Sequence, residues 1–222
     1  MVHGRGTVKA TLVQDKLTPC TAVDVLRAFR SALETLTGKT PSNAQLAVLV
    51  AQSALETGRW RSLHCYNFGN VKAGPDYEWL YCQFRCNEVI NGHVVWFDPP
   101  HPQCNFRAFT SIDTGALAHL RFLHLSARYV GAWNAAEAGD PVAFVRALKS
   151  AGYFTADETP YRRAVTSLFN EYMRLQANEP SDTEPSPPPD EHELHQAALA
   201  AVATFDPLEA AREERDEQLR EP

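Results

Sequence analysis

Ser42-Asn43-Ala44-Gln45-Leu46-Ala47-Val48-Leu49-Val50-Ala51-Gln52-Ser53-Ala54-Leu55-Glu56-Thr57-Gly58 decides the fold. Ser42 is an N-cap residue, and Gln45 three positions later completes a capping box. Gly58 is the expected stop. Between Ser42 and Leu55 there is no charge, and apolar residues lie on every side. A helix of this kind is buried nearly all round and needs other elements to surround it. The chain is therefore read as a mainly α domain built about this helix, with Glu56 as its lone charge in the last turn.

On the N-terminal side, Thr21 to Thr37 reads as an amphipathic helix. Thr21 caps it, Asp24 stands at the third helical position, Val25, Leu26, Phe29, Leu33 and Leu36 recur at helical spacing, and Gly38 ends it. On the C-terminal side, Arg59 to Phe109 is rich in Gly, Pro, Asn and aromatics. Within it, Glu88-Val89-Ile90-Asn91-Gly92-His93-Val94-Val95-Trp96 carries Asn-Gly between two β-prone runs, which predicts a hairpin. Helices return at Ile112 to Tyr129, from Asp140-Pro141 to Gly152, and from Thr159-Pro160 through Tyr172. The division expected is an arm over 1–20, a helical domain with a small β-hairpin lobe over 21–176, a Pro-rich linker over 177–190 and an acidic, helix-prone tail over 191–222.

The formal charge of −6 argues against a nucleic-acid partner, although acidic residues crowd the tail and leave the folded part near neutral. No run approaches the roughly 20 apolar residues of a membrane span, and Met1 to Lys16 lacks the apolar core of a signal peptide. A soluble protein without signal-dependent export is expected. Cys65, Cys82, Cys86 and Cys104 fall close together, with His64, His93 and His101 nearby and Cys20 apart. The spacing lacks paired CxxC units, so free thiols or two disulfides rank ahead of zinc, and neither metal nor cofactor is expected in the chemistry.

Glu56 carries the functional reading. Burial and the negative end of the helix dipole both raise a carboxyl's pKa. An acid held protonated near neutral pH is what protonates the leaving oxygen in glycoside hydrolysis. The residue-level alternative is a surface carboxylate paired with Arg59 or Arg61.

Four segments in order add a resemblance. Ala51-Gln52-Ser53-Ala54-Leu55-Glu56-Thr57-Gly58, Tyr66-Asn67-Phe68-Gly69-Asn70-Val71-Lys72-Ala73, Phe106-Arg107-Ala108-Phe109-Thr110-Ser111 and Ala151-Gly152-Tyr153-Phe154-Thr155 with Tyr161 resemble the glucosaminidase family of bacterial wall hydrolases. The likeness covers about Val23 to Tyr172. It implies a lysozyme-like fold with the cleft between a helical and a β lobe, peptidoglycan glycan strands as partner, and endo-β-N-acetylglucosaminidase activity with Glu56 as acid. It places a second carboxylate on the hairpin, where Glu88 stands, with Glu78 and Asp98 as rivals. Tyr153 matches a cleft tyrosine, though a core aromatic at a helix end has the same pattern. Tyr66, Asn67, Phe68 and Trp79 are the candidate sugar-binding floor, while Trp96 and Phe97 are expected to pack the β lobe.

Two departures stand near the acid: Gly58-Arg59-Trp60 replaces the family's Gly-Trp-Gly, and Asn70 is inserted in the glycine-lysine stretch. Competing readings are a muramidase or lytic transglycosylase, and a non-catalytic lysozyme-like module. A phage virion, a holin pathway or an injection apparatus would deliver such a chain.

Overall fold

The structure is a computed structural model that describes residues 10–74, 79–90, 93–154 and 157–178. Its centre is α2 (Asn43–Glu56), in which every residue from Gln45 to Ala54 is buried. Ser42 Oγ accepts the Gln45 amide at 3.0 Å. Only this half of the predicted capping box forms, because Gln45 is itself drawn into the interior. Burial of each side chain such as Leu46, Val48, Leu49 and Val50 stabilises the fold by about 1.5–3 kcal/mol.

Among the described residues, three helices pack directly on α2, and two more pack in turn on those three. The first, α1 (Ala22–Thr37), has the full Thr21–Asp24 capping box and ends on Gly38 at φ 69°. It packs on α3 (Ile112–Leu125), while α6 (Glu158–Ala177) lies along α2. α4 (Val130–Glu137) packs between α2 and α5 (Pro141–Ser150).

Three sequence expectations are corrected here. The helix predicted over 112–129 stops at Leu125, because Ser126 is extended, and a 3-10 turn at Ala127–Tyr129 leads into the unpredicted α4. α6 is capped by Asp157, whose Oδ1 accepts the Thr159 amide at 2.9 Å, so Thr159 lies inside the helix and not at its cap. Residues 11–18, read as part of an arm, join the β lobe.

That lobe holds two sheets. β1 (Thr11–Leu12) runs parallel to β2 (Leu80–Gln83), and β2 pairs antiparallel with β5 (Asn105–Arg107), placing Cys82 opposite Phe106. The predicted hairpin is present as β3 (Cys86–Ile90) and β4 (His93–Phe97), with Glu88 opposite Val95 and Asn87 opposite Trp96. Ile90 pairs with His93, so two residues connect the strands, although Asn91-Gly92 lies outside the described residues, as does the 191–222 tail. Among the described residues no helix is long and apolar enough to cross a membrane.

Candidate active site

Glu56 stands where α2 leaves the core, and its side chain is half-buried. Oε1 accepts from Tyr161 Oη at 2.7 Å and from Gln52 Nε2 at 3.4 Å. Oε2 has no hydrogen-bond partner among the described residues. Gln52, one turn earlier on α2, is fully buried and also donates from Nε2 to Tyr153 Oη at 2.9 Å. Its Oε1 faces His119 Nε2 of α3 at 3.1 Å. An ionised carboxylate can only accept, which turns the Gln52 nitrogen toward Glu56 and its oxygen toward His119, so His119 donates through Nε2. Gly69 lies against the other ring nitrogen, where a β-carbon would stand 2.8 Å from Nδ1.

Burial raises the Glu56 carboxyl above the ordinary carboxylate range, and the hydrogen bonds from Tyr161 and Gln52 offset part of that rise. His119 is pushed down to about 4 by burial and is neutral. Burial and then the Glu56 charge push both Tyr153 and Tyr161 upward, so both phenols stay protonated donors. The Tyr161 ring is stacked on Phe154 at 4.0 Å, and Tyr153 meets Tyr129 edge-on at 5.6 Å. The acid is thus held by neutral groups from α2, α3, α6 and the turn after α5.

The ion-paired surface alternative for Glu56 does not form. Arg59 makes a two-pronged bridge to Glu171 of α6, at 2.6 and 2.7 Å. The Gly58-Arg59-Trp60 departure is absorbed by a left-handed run, with φ of 57°, 56° and 60°. This run sends Arg59 outward and Trp60 inward, where its indole donates to Ser53 Oγ at 2.9 Å. Asn70, the inserted residue, donates through Nδ2 to the Glu56 carbonyl at 3.0 Å and ties the following loop to the acid's own backbone.

Removing the Tyr161 hydroxyl takes away a bond that favours the charged form of Glu56. Tyr161→Phe is therefore expected to raise the Glu56 pKa further and to move the alkaline limb of the kcat–pH profile to higher pH. An unmoved limb in the folded variant would mean that Tyr161 does not tune the acid.

The amino-acid sequence matches the glucosaminidase family model, described as mannosyl-glycoprotein endo-beta-N-acetylglucosaminidase, over residues 32–174. The chain belongs to this family. Glycoside hydrolysis is accordingly its class of chemistry, and Glu56, Gln52, His119, Tyr153 and Tyr161 all lie within the matched span.

The likeness to a peptidoglycan hydrolase mutant from Sphingomonas sp. A1 has a TM-score of 0.51 at 24% identity. It covers 71% of this chain and 98% of that one, and it agrees with the lysozyme-like, mainly helical α+β architecture. A C-terminally truncated glycoside hydrolase domain of FlgJ from Salmonella typhimurium gives 0.48 at 22%, over 71% and 99%. A peptidoglycan hydrolase from Sphingomonas sp. A1 gives 0.48 at 22%, over 75% and 100%. No curated protein matches the chain.

Among the described residues, none of the other candidates hydrogen-bonds or ion-pairs with the Glu56 side chain. Glu88 projects from β3 and bridges to Lys72 Nζ at 3.0 Å, with 41% of its side chain exposed. Asp98 pairs with Arg85 at 3.1 Å on the surface, and Glu78 lies outside the described residues. Asn67 and Phe68 do not form a sugar floor. Asn67 is 2% exposed and spends its amide on the backbone of Val71 and Arg107, and Phe68 is fully buried edge-on to Phe29. Tyr66 lines a hollow of ≈ 280 Å³ with Cys20, Asp24, Arg27 and Asp113, a hollow that Glu56 does not line. Trp79 is half-buried, with an indole nitrogen that has no partner among the described residues.

Gln52, His119 and Asn70 were not singled out from the sequence as site residues, and Tyr161 entered only through a motif. Gln52 had a usable signal, because a side-chain amide on an otherwise apolar buried helix, one turn from its only acid, must find a polar partner inside. His119 had none, being a polar residue on a helix whose partners depend on how α3 docks. The four clustered cysteines do not converge on one point. Cys65 and Cys82 approach each other and Asp15, while Cys86 adjoins Cys104, and all are free thiols.

Proposed function

We propose that this chain hydrolyses peptidoglycan glycan strands at the β-1,4 bond following N-acetylglucosamine, with Glu56 as general acid. The observation that carries the reading is a desolvated carboxyl, held by neutral donors through Oε1 alone and leaving Oε2 to face the substrate. Support for the polymer comes from the family and from the Sphingomonas neighbour at TM-score 0.51, itself a peptidoglycan hydrolase.

In this mechanism the Oε2 proton passes to the glycosidic oxygen as the bond to the anomeric carbon breaks. Water attacks that carbon, and its proton goes to the second carboxylate, for which Glu88 is proposed. Tyr153, fixed by Gln52, faces the developing charge. The decisive experiment is a zymogram on isolated cell walls followed by mass spectrometry of the fragments. Reducing-end N-acetylglucosamine supports the reading, and reducing-end N-acetylmuramic acid transfers the chain to the muramidases.

The exposed Glu88, held by Lys72 and not by the Glu56 network, also fits a one-carboxylate lytic transglycosylase, which uses no water. Glu88→Gln is expected to lower kcat by about 10²–10⁴-fold, the usual worth of a positioned acid or base. Equal rates in the wild type and the variant would favour the transglycosylase.

The segment beyond Asn178 is proposed to be dispensable for catalysis. Gln176 is not, since its amide donates to the Asn43 carbonyl at 3.0 Å and ties α6 to the start of α2. A chain ending at Asn178 is expected to keep wild-type activity on isolated walls. Loss of activity in a cooperatively melting truncation would show that the tail takes part.

A further inference from the structure

We propose that Asp15, Cys65 and Cys82 form a binding site for a thiophilic divalent cation of the zinc class, tying the N-terminal segment to the β lobe. The three donors come from three separate pieces of chain: the segment after β1, the loop after α2, and β2. Their ligand atoms all lie within 4.8 Å of one another. Cys82 is fully buried, Cys65 is 3% exposed and Asp15 is half-buried. Tetrahedral zinc holds sulfur at about 2.3 Å and carboxylate oxygen at about 2.0–2.2 Å, which sets neighbouring donors about 3.5 Å apart. A contraction of at most about 1 Å therefore closes the site.

The donor set selects the ion. Two thiolates with a carboxylate suit zinc, whereas magnesium and calcium take oxygen ligands. Asp15 Oδ1 is held by His64 Nδ1 at 2.8 Å, which leaves the other carboxylate oxygen for the metal. The His64 ring is itself stacked on Phe84 at 3.9 Å, and Phe84 on Phe106 at 4.0 Å. A ligand carboxylate oriented by a histidine on a rigid aromatic wall is the kind of supporting shell that metal sites use. The Gln14 carbonyl lies 3.8 Å from Cys65 Sγ, and either it or a water would supply the fourth ligand.

Charge is nearly balanced as well. Binding exchanges two thiol protons for a doubly charged cation, so that two thiolates and the Asp15 carboxylate surround the ion and leave a single net negative charge at the site. A Cys65–Cys82 disulfide would satisfy the sulfurs but leave Asp15 facing an uncharged bridge. The second pair lacks this logic, since Lys72 Nζ lies 3.4 Å from Cys86 Sγ and repels a cation.

The test is cobalt(II) titration of the reduced, full-length protein after chelator treatment, and it does not depend on the hydrolase reading. One equivalent is expected to produce a thiolate-to-cobalt charge-transfer band, release two protons and be displaced by zinc. Zinc should raise the melting temperature up to one equivalent, and a chelator should reverse the rise. Cys82→Ser should abolish the band, and His64→Ala should weaken binding by about 10–100-fold. No band in the wild type overturns the site. So does a band that survives Cys82→Ser, or a Cys65–Cys82 disulfide that forms in place of metal binding. If Cys82→Ser does not fold, a Cys86→Ser, Cys104→Ser double variant decides, because it retains every proposed donor: a retained band supports the site and a lost band overturns it.

Discussion

Glu56→Gln is expected to lower wall-degrading activity by at least 10²–10⁴-fold while leaving the protein folded. Glutamine has nearly the same shape and can still accept from Tyr161 Oη and Gln52 Nε2, so the network around it has no steric reason to collapse. What it lacks is a transferable proton. Remaining activity near wild type in the purified variant would remove Glu56 from the mechanism.

Stability gives the same substitution a second signature. Burial makes the folded protein bind the Glu56 proton more tightly than the unfolded chain does. This favours folding fully at pH below the unfolded value, and the advantage is lost as pH rises through the folded value. At neutral pH the native state therefore carries the desolvation cost of an ionised or partly ionised carboxyl, which glutamine does not have. Glu56→Gln is expected to melt at the same temperature as wild type at pH 4 and at an equal or higher temperature at pH 7. A variant that is less stable at pH 7 would show that Glu56 holds the fold together, which is the opposite of a site built at the expense of stability.

Much of this architecture was legible because α2 announces itself. A helix that carries no charge before its last residue and has capping signals at both ends cannot exist alone in water, and its neighbours follow from the same periodicity. The misses have local causes. β1 is two residues long with both side chains exposed, so no alternation marks it, and its pairing with β2 depends on contacts distant in sequence. α4 is eight residues long with Gly131 inside, too short and too weak in propensity to separate from the helix before it.

The site was legible in its chemistry and less so in its wiring. Glu56 stood out as a charge where none belonged, and the raised carboxyl follows from that placement. Tyr153 joined the network through Gln52, a bond spanning 101 residues that no local pattern encodes. Asn67 and Phe68 misled because an aromatic beside an asparagine has the same composition in a sugar-binding floor as in a folded loop. Their burial assigns them to the loop.

That loop sets a large stability effect through one polar side chain. Asn67 Oδ1 accepts the Val71 amide at 2.9 Å, and its Nδ2 donates to the Val71 and Arg107 carbonyls, both at 2.9 Å. One side chain therefore closes the 67–71 turn and fastens it to β5. Asn67→Ala removes the partner of the Val71 amide and of the Arg107 carbonyl, at about 1–3 kcal/mol for each group left unsatisfied, while the Val71 carbonyl keeps the Arg107 amide at 3.0 Å. Water entering the space recovers part of this, so a net loss of about 2–4 kcal/mol is expected, a large share of the roughly 5–15 kcal/mol that holds a domain folded. The damage also reaches the acid, since Asn70 in the same turn donates to the Glu56 carbonyl. Activity should fall under conditions where the variant is still mostly native. Urea denaturation with parallel activity assays measures both effects. A loss under 1 kcal/mol with full activity would return Asn67 to the sugar floor and leave the 67–71 turn held by its backbone alone.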